Sequence, residues 1–266
     1  MTSIIASGIE LGYGSNTVIT KSSLEIPGGR ITCLIGPNGS GKSTLLNAMA
    51  GLITPNSGMI SFSTISTEHP SIAYVLQSTK VNESLPVTVR EVVAMGRYGR
   101  SPWPGRLSTA DRAAIDRAMS RMGLEDIAGA HLNELSGGQR QRVFVAQGLA
   151  QDHEILLLDE PLTGLDLTSA QAIDAVIHDE QEDGCTIVMT THDLAEAQVA
   201  DHVVLLAGRV VASGPPDEVL TVANLTSAYG PNLLHVQGKR LFLDDPAHRP
   251  SSERHVHRDL SSQDPA

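Results

Sequence analysis

The sequence predicts an α/β fold built on a mostly parallel sheet. Three runs of residues are almost wholly apolar, as expected for strands buried on both faces of a parallel sheet: 31–35, 154–158 and 186–191. Helix-spaced apolar residues at Leu45, Leu46 and Met49 follow the first run, and a second helical pattern precedes the third. This alternation of strands and helices is typical of α/β domains.

Composition disfavours several classes of protein. With 266 residues, of which 41% are hydrophobic, the chain can bury a large core, as one domain or as one domain with lobes. A formal net charge of −11 argues against nucleic acid as a partner. The two cysteines, Cys33 and Cys185, lie far apart without C-x-x-C spacing, which favours a reducing cytosol over a disulfide framework or a zinc site. We find no run near the roughly 18 apolar residues of a membrane helix and no signal-peptide pattern.

A glycine-rich stretch follows the first apolar run and matches G-x-x-x-x-G-K-[ST] in full. Its residues are Gly36, Pro37, Asn38, Gly39, Ser40, Gly41, Lys42, Ser43 and Thr44. Glycines let the backbone curl so that its N–H groups point inward at a helix N-terminus, which makes an anion site. Lys42 can then reach the β- and γ-phosphates of a nucleotide, and the Ser43 hydroxyl can bind Mg²⁺. The alternative is a chance glycine-rich turn, which the flanking strand and helix patterns disfavour.

The segments before and after this loop predict strands and turns. Runs within residues 3–26, and again at 59–62 and 72–75, have strand character, and glycine-rich breaks separate them. Tyr13, between two glycines, could stack on an adenine base, or it could be an ordinary half-buried tyrosine at the end of a strand. Gln77 directly follows the strand predicted at 72–75.

Residues 87–150 change to a helical spacing and predict a helical lobe. Ser108 and Asp111 have the spacing of a capping box at the start of one helix. Residues 135–139 open another helix, whose N-terminus offers free N–H groups.

Two acids, Asp159 and Glu160, end the second apolar run. A central parallel strand delivers such side chains to its C-terminal edge, where they would face the phosphates, although an ordinary acidic turn would have the same sequence. His192 ends the third run and emerges at the same edge, although a lone histidine is more often structural. A further strand pair about Gly208 and helices over 215–229 follow, and residues 244–266 are polar enough to predict a disordered tail.

Taken together and in this order, these motifs resemble the ATP-binding subunit of an ABC transporter over residues 3–235. The most specific element is the run 135–139, Leu-Ser-Gly-Gly-Gln, which is similar to the signature of that family. The resemblance implies a P-loop NTPase cassette with an antiparallel β subdomain at its N-terminus and a helical signature subdomain. It also implies a head-to-tail homodimer that hydrolyses ATP with Mg²⁺.

The resemblance assigns roles to particular residues. Across the dimer, Ser136, Gly137 and Gly138 would contact the γ-phosphate, with Gln139 at the same interface. Asp166 would be an acid of the loop that crosses the interface. Tyr13 would stack on adenine, and Gln77 and Asp159 would serve Mg²⁺. Glu160 would polarise the attacking water, and His192 would contact the γ-phosphate.

The resemblance also implies that the chain lies peripherally at the cytoplasmic face of the membrane. Its implied partners are transmembrane permease subunits and, indirectly, an extracytoplasmic substrate-binding protein. Residues 85–100, followed by Trp103, are similar to the lobe of manganese, zinc and iron-chelate importer ATPases. With the histidines of the tail, they favour a manganese or zinc ion over an iron-siderophore chelate. A soluble ABC ATPase acting on ribosomes or DNA is disfavoured because the chain has one cassette and no heptads. A non-enzymatic ATP-binding module would lack Glu160 or His192. One departure from the family pattern, Gly148 inside the signature helix, predicts a softer helix at that point.

Overall fold

The computed structural model describes residues 1–63, 70–76, 86–99 and 107–230, and the backbone of 234–237 and 240–243. Its central layer is a six-stranded sheet. In spatial order the strands are β5 (Ile72–Val75), β6 (Ile155–Leu158), β7 (Thr186–Thr191), β3 (Ile31–Ile35), β8 (His202–Leu206) and β9 (Val210–Gly214). All neighbours pair in parallel except β8 and β9. Every residue of β3, β6 and β7 is buried, which explains their apolar sequences.

A second sheet is antiparallel and comes from the N-terminal part of the chain. Its strands, in spatial order, are β2 (Asn16–Ile26), β1 (Ser3–Tyr13) and β4 (Ser57–Ser63). Buried and exposed residues largely alternate along β1, so one face packs on the core. Helix α1 (Lys42–Met49) completes this core with Leu45, Leu46 and Met49, as the helical spacing predicts.

Three helices form the predicted lobe: α2 (Val89–Tyr98), α3 (Thr109–Arg121) and α4 (Gly137–Leu149). Each begins at a capping box, with Thr88, Ser108 and Ser136 as N-caps. Two short 3₁₀ turns, Glu125–Ile127 and Leu132–Glu134, connect α3 to α4.

The remaining elements cover the sheet and continue the chain beyond it. They are the helices α5 (Leu167–Glu182), α6 (Leu194–Val199), α7 (Pro216–Val219) and α8 (Val222–Tyr229), and the antiparallel pair β10 (Leu234–Gln237) and β11 (Arg240–Leu243). The sequence did not predict β10 and β11. Among the described residues, we find no helix with the length and apolar character needed to span a bilayer. Gln77, Trp103 and the expected tail 244–266 lie outside the described residues.

Gly148 has a packing role that the sequence analysis missed. A Cβ added there would lie 2.8 Å from Cγ2 of Val75, so α4 needs a glycine to lie this close to β5. Gly96 allows a similarly close approach of α2 to α4, because its added Cβ would lie 2.3 Å from the carbonyl oxygen of Gln147 in α4. The expectation of a merely softer helix at Gly148 was therefore incomplete: helix propensity competes there with close packing of the two helices and the sheet.

Candidate nucleotide-binding site

The glycine-rich loop joins β3 to α1 and is pressed against two neighbouring strands. A Cβ added to Gly36 would lie 2.1 Å from the Leu206 carbonyl oxygen. Gly41 has a φ of +104°, and its added Cβ would lie 2.5 Å from Ile19. Gly41 is also the N-cap of α1, and no side chain caps that end of the helix in the described structure. The first-turn N–H groups are therefore available to an anion.

The other loop residues divide between surface and interior. Asn38, Gly39 and Ser43 are exposed, whereas Ser40 and Thr44 are buried. The Ser40 hydroxyl is buried without a hydrogen-bond partner among the described residues. Such a group is expected where a polar ligand binds.

Lys42 lies inside the curl of the loop, with only 7% of its surface exposed. Its Nζ donates hydrogen bonds to the carbonyl oxygens of Gly36 (2.7 Å) and Pro37 (3.2 Å). Burial lowers the pKa of Lys42, and the negative charges of Glu160 and Asp159 oppose that shift.

The two acids are fixed by one threonine on the neighbouring strand. Thr190, fully buried in β7, donates its hydroxyl to Asp159 Oδ1 (2.6 Å) and accepts a hydrogen bond from the Glu160 backbone N–H (2.8 Å). Glu160 has a φ of +48°, the one positive value of a non-glycine residue in the described chain. An unusual backbone conformation held in this way is typical of functional sites.

His192 follows β7 directly, as predicted, and its side chain is 44% exposed. Its Nδ1 lies 3.9 Å from Glu160 Oε2. The backbone after it is held by the Asp193 N–H, which donates to the Thr191 hydroxyl (2.9 Å), and by the Asp193 carboxylate, which caps α6 at Ala195. These bonds fix the turn that carries His192 beside Glu160.

Tyr13 lies at the end of β1 with 52% of its surface exposed. Its hydroxyl accepts a hydrogen bond from Asn47 Nδ2 (3.3 Å), and Asn47 belongs to α1. The ring is thus tied to the helix that begins at the glycine-rich loop.

The predicted signature residues form a second group at the N-terminus of α4. Ser136 and Gln139 cap this helix reciprocally: Ser136 Oγ accepts from Gln139 N (3.2 Å), and Gln139 Oε1 accepts from Ser136 N (2.9 Å). A Cβ added to Gly137 would meet nothing within 4 Å, whereas one added to Gly138 would lie 2.5 Å from Asp166 Oδ2. Gly137 is exposed, so the N-terminus of α4 reaches the surface at this residue, whereas Gly138 is buried.

Asp166 adjoins this second group and has a structural role that the sequence analysis did not foresee. Its carboxylate is the N-cap of α5, accepting hydrogen bonds from Ser169 N (2.9 Å) and Ser169 Oγ (2.8 Å). These hydrogen bonds lower the pKa of Asp166.

The structure brings most of the predicted residues into one group. The loop 36–44 begins where β3 ends, and β3 pairs with β7 there (Ile35 with Thr191), so the loop lies beside the strand ends that carry Asp159, Glu160 and His192. Tyr13 joins this group through its hydrogen bond to α1. The signature residues with Asp166 form the second group. Sequence reasoning missed Thr190 and Asn47. The available signal for Thr190 was a hydroxyl in a strand predicted to be wholly buried, next to the strand that carries the acids.

The donor set also fits the predicted Mg²⁺. Ser43 offers an exposed hydroxyl in the first turn of α1, and Asp159 offers a buried carboxylate. Hard oxygen donors of this kind suit Mg²⁺. The third predicted ligand, Gln77, lies outside the described residues.

Comparison with known proteins identifies this arrangement. A family model described as "ABC transporter" matches residues 19–163. The chain belongs to the ABC transporter family. It is an ATP-binding, ATP-hydrolysing subunit of that family, so the predicted resemblance, fold and ATPase activity are confirmed.

Individual relatives match over most of their length. The chain is 37% identical to the chelated iron transport system membrane protein YfeB of Yersinia pestis, covering 91% of this chain and 84% of the relative. It is 36% identical to the manganese transport system ATP-binding protein MntB of Bacillus subtilis, covering 88% and 94%. Among solved structures, a dimeric bacterial ABC transporter cassette is 28% identical with a TM-score of 0.69, covering 80% of this chain and 98% of that one. ABC ATPase subunits of this kind work as dimers with membrane permeases.

Proposed function

We propose that this chain lies at the cytoplasmic face of the membrane and hydrolyses ATP to drive the import of a metal ion, manganese or zinc. An extracytoplasmic substrate-binding protein would deliver the ion to the permease. The observation that carries the ATPase part is the glycine-rich loop beside Asp159 and Glu160. The match to MntB of a manganese transport system, over 94% of its length, supports a metal ion as the transported substrate.

The site geometry supports a role for each residue of the first group. The α1 N-terminus and the Lys42 ammonium bind the β- and γ-phosphates of ATP. Ser43 and Asp159, together with Gln77 as the sequence predicts, would hold Mg²⁺, which would supply positive charge to the phosphates. Glu160 orients and polarises the attacking water, and His192 beside it contacts the γ-phosphate. Tyr13 offers its ring to the adenine.

We further propose that the second group completes the site of a partner chain. Ser136, Gly137, Gly138 and Gln139 would present the α4 N-terminus to the γ-phosphate bound by the partner's loop, with Asp166 at the same interface. The exposed Gly137 at the N-terminus of α4 and the dimeric relative support this arrangement.

Substitution Glu160→Gln tests the catalytic assignment. The amide keeps the shape of the side chain but loses the charge that polarises water, so turnover should fall by at least about a hundredfold. ATP binding should remain, and ATP with Mg²⁺ should convert the variant into a stable dimer. Steady-state ATPase assays and size-exclusion chromatography measure both effects.

The matched control is Glu218→Gln, which makes the same chemical change at an exposed residue of α7. It should hydrolyse ATP like the unmodified chain. Near-normal turnover of Glu160→Gln would refute the assignment of Glu160.

The second candidate substrate is an iron-siderophore chelate, because YfeB belongs to a chelated iron system. Deleting the gene and measuring cellular manganese, zinc and iron under limitation of each metal separates the two. We expect loss of manganese or zinc accumulation. Loss of siderophore uptake alone would favour the chelate, and unchanged levels of all three metals would refute the whole group of substrates.

A further inference from the structure

Three chemically distinct side chains meet at the edge of the sheet opposite to the nucleotide site. His153 lies two residues before β6 and Cys185 directly precedes β7, whereas Asp159 and His192 follow the same two strands. Glu180 lies in the last turn of α5. His153 and Cys185 lie side by side, because the Thr186 N–H donates to the Glu154 carbonyl (3.0 Å) where β6 and β7 begin to pair.

The potential ligand atoms of these residues are close together and sheltered. His153 Nε2, a Glu180 carboxylate oxygen and Cys185 Sγ all lie within 4.8 Å of one another. Glu180 and Cys185 are buried, and the His153 side chain is only 5% exposed. His153 Nε2 lies 3.0 Å from Glu180 Oε2, but without the alignment of a directed hydrogen bond. These separations need only small side-chain movements to surround one ion.

The surrounding bonds orient the ligand atoms toward one another. His153 Nδ1 donates to the Gln151 carbonyl (2.9 Å), which leaves Nε2 to face the cluster. Arg121 Nη1 binds the outer oxygen of Glu180, Oε1, which leaves Oε2 facing His153. The Cys185 N–H donates to the Glu180 carbonyl (3.0 Å). Histidine and carboxylate ligands of metal sites are commonly oriented by outer bonds of this kind.

We propose that His153, Glu180 and Cys185 form a binding site for a divalent transition-metal cation of the zinc type. Imidazole, thiolate and carboxylate are all zinc ligands, and three protein ligands with one water make a common zinc coordination set. The thiolate favours zinc over manganese, which prefers oxygen donors. This site is separate from the predicted Mg²⁺ site and goes beyond the proposed transport function.

A groove of about 470 Å³ lies beside this cluster. Arg121 lines it, together with Asp152 and Asp179, which neighbour His153 and Glu180 in the chain. Four carboxylates and two arginines line the groove in total, so its net negative charge attracts a cation. The Arg121 contact with Asp179 (3.4 Å) can persist while Glu180 Oε2 binds the metal.

Without a metal, His153 carries a proton on the ring nitrogen that faces Glu180 and Cys185. Burial lowers the pKa of His153, but its contacts with Cys185 and Glu180 raise it by more, to about 10. Binding of the cation therefore displaces the proton on His153 Nε2, which is released to solvent, and the sulfur ligand is the Cys185 thiolate. The two ligand charges of Cys185 and Glu180 then balance the cation.

Cobalt titration of the full chain without nucleotide tests the proposal. Co²⁺ bound to a thiolate gives a charge-transfer absorption that histidines and carboxylates do not give, so the tail histidines cannot imitate it. The chain has two cysteines, and Cys33 lies in β3, away from the cluster. We expect the absorption in the unmodified chain and in Cys33→Ala, and its loss in Cys185→Ala.

Zinc competition against bound Co²⁺ tests the second ligand. His153→Gln should weaken zinc binding by about tenfold or more, whereas His178→Gln, at an exposed histidine of α5, should not. A chain that folds but gives no thiolate absorption, or an absorption that survives Cys185→Ala, would overturn the proposal. If Cys185→Ala does not fold, alkylation of the unmodified chain decides: Zn²⁺ must slow modification of Cys185 but not of Cys33.

Discussion

At the scale of single residues, Thr190 is the side chain on which the geometry of both acids depends. Thr190→Val removes the hydrogen bond to Asp159 and leaves the Glu160 N–H without its partner. A hydrogen bond to a charged group contributes about 1.5–3 kcal/mol, so we expect ATP turnover to fall by about tenfold or more. Steady-state ATPase assays measure the effect.

Thr32→Val is the matched control for this substitution. Thr32 is equally buried, on the neighbouring strand β3, but its hydroxyl has no hydrogen-bond partner among the described residues. The same chemical change should therefore leave turnover intact. If both variants hydrolyse ATP equally well, Thr190 does not position the acids.

These residues also show how far the sequence could lead. Asp159, Glu160 and His192 were predictable because each ends an apolar run, and parallel strands bring their ends to one edge. Thr190 was not, because its role depends on the register between β6 and β7, which no local pattern contains. The same reason hid the cluster of His153, Glu180 and Cys185, whose members are neither adjacent nor regularly spaced.

At the scale of secondary-structure elements, helix propensity and packing predict opposite effects on stability for a substitution at Gly148. Propensity alone predicts that Gly148→Ala stabilises the protein by about 1 kcal/mol. The structure predicts the opposite sign, because the added methyl group would collide with Val75 in β5, and overpacking costs about 1–3 kcal/mol. Thermal unfolding should therefore show a lower melting temperature for Gly148→Ala.

Two other glycines in the lobe provide a second test and a control for this measurement. Gly96→Ala should also lower the melting temperature, because its Cβ meets the Gln147 backbone. Gly99→Ala should not, since Gly99 has a helical φ of −65° and its added Cβ would meet none of the described residues within 4 Å. A higher melting temperature for Gly148→Ala than for the unmodified chain would contradict the packing argument.

The elements themselves were predicted better than their contacts. Strands, helices and the Ser108 capping box follow from local patterns, and the structure confirms them. Arg97 shows the limit: a basic residue inside a helix indicates a solvated surface, yet Arg97 is buried and binds Asp111 (2.8 Å), Asp152 (2.9 Å) and the Ala150 carbonyl (3.0 Å). Such bonds join residues that are distant in sequence, so only the folded chain reveals them.

At the scale of the whole molecule, each proposed ATP site combines the loop of one chain with the signature residues of its partner. The two halves of a site can therefore be damaged in separate chains. Lys42→Ala damages the loop, and Gly137→Asp damages the signature by placing a negative charge at the α4 N-terminus. Because a Cβ added to Gly137 meets no atom within 4 Å, the fold should tolerate this change. Each variant alone should be inactive.

Mixing these two inactive variants should restore measurable ATP turnover. In a mixed dimer, the intact loop of the Gly137→Asp chain faces the intact signature of the Lys42→Ala chain, so one complete site exists. Mixing Lys42→Ala with Glu160→Gln is the control, because both changes affect the loop side of a site and no complete site can form. ATPase assays over a range of mixing ratios compare the two pairs. Equal activity in both mixtures, or none in the first, would mean that the signature does not act on the partner's nucleotide.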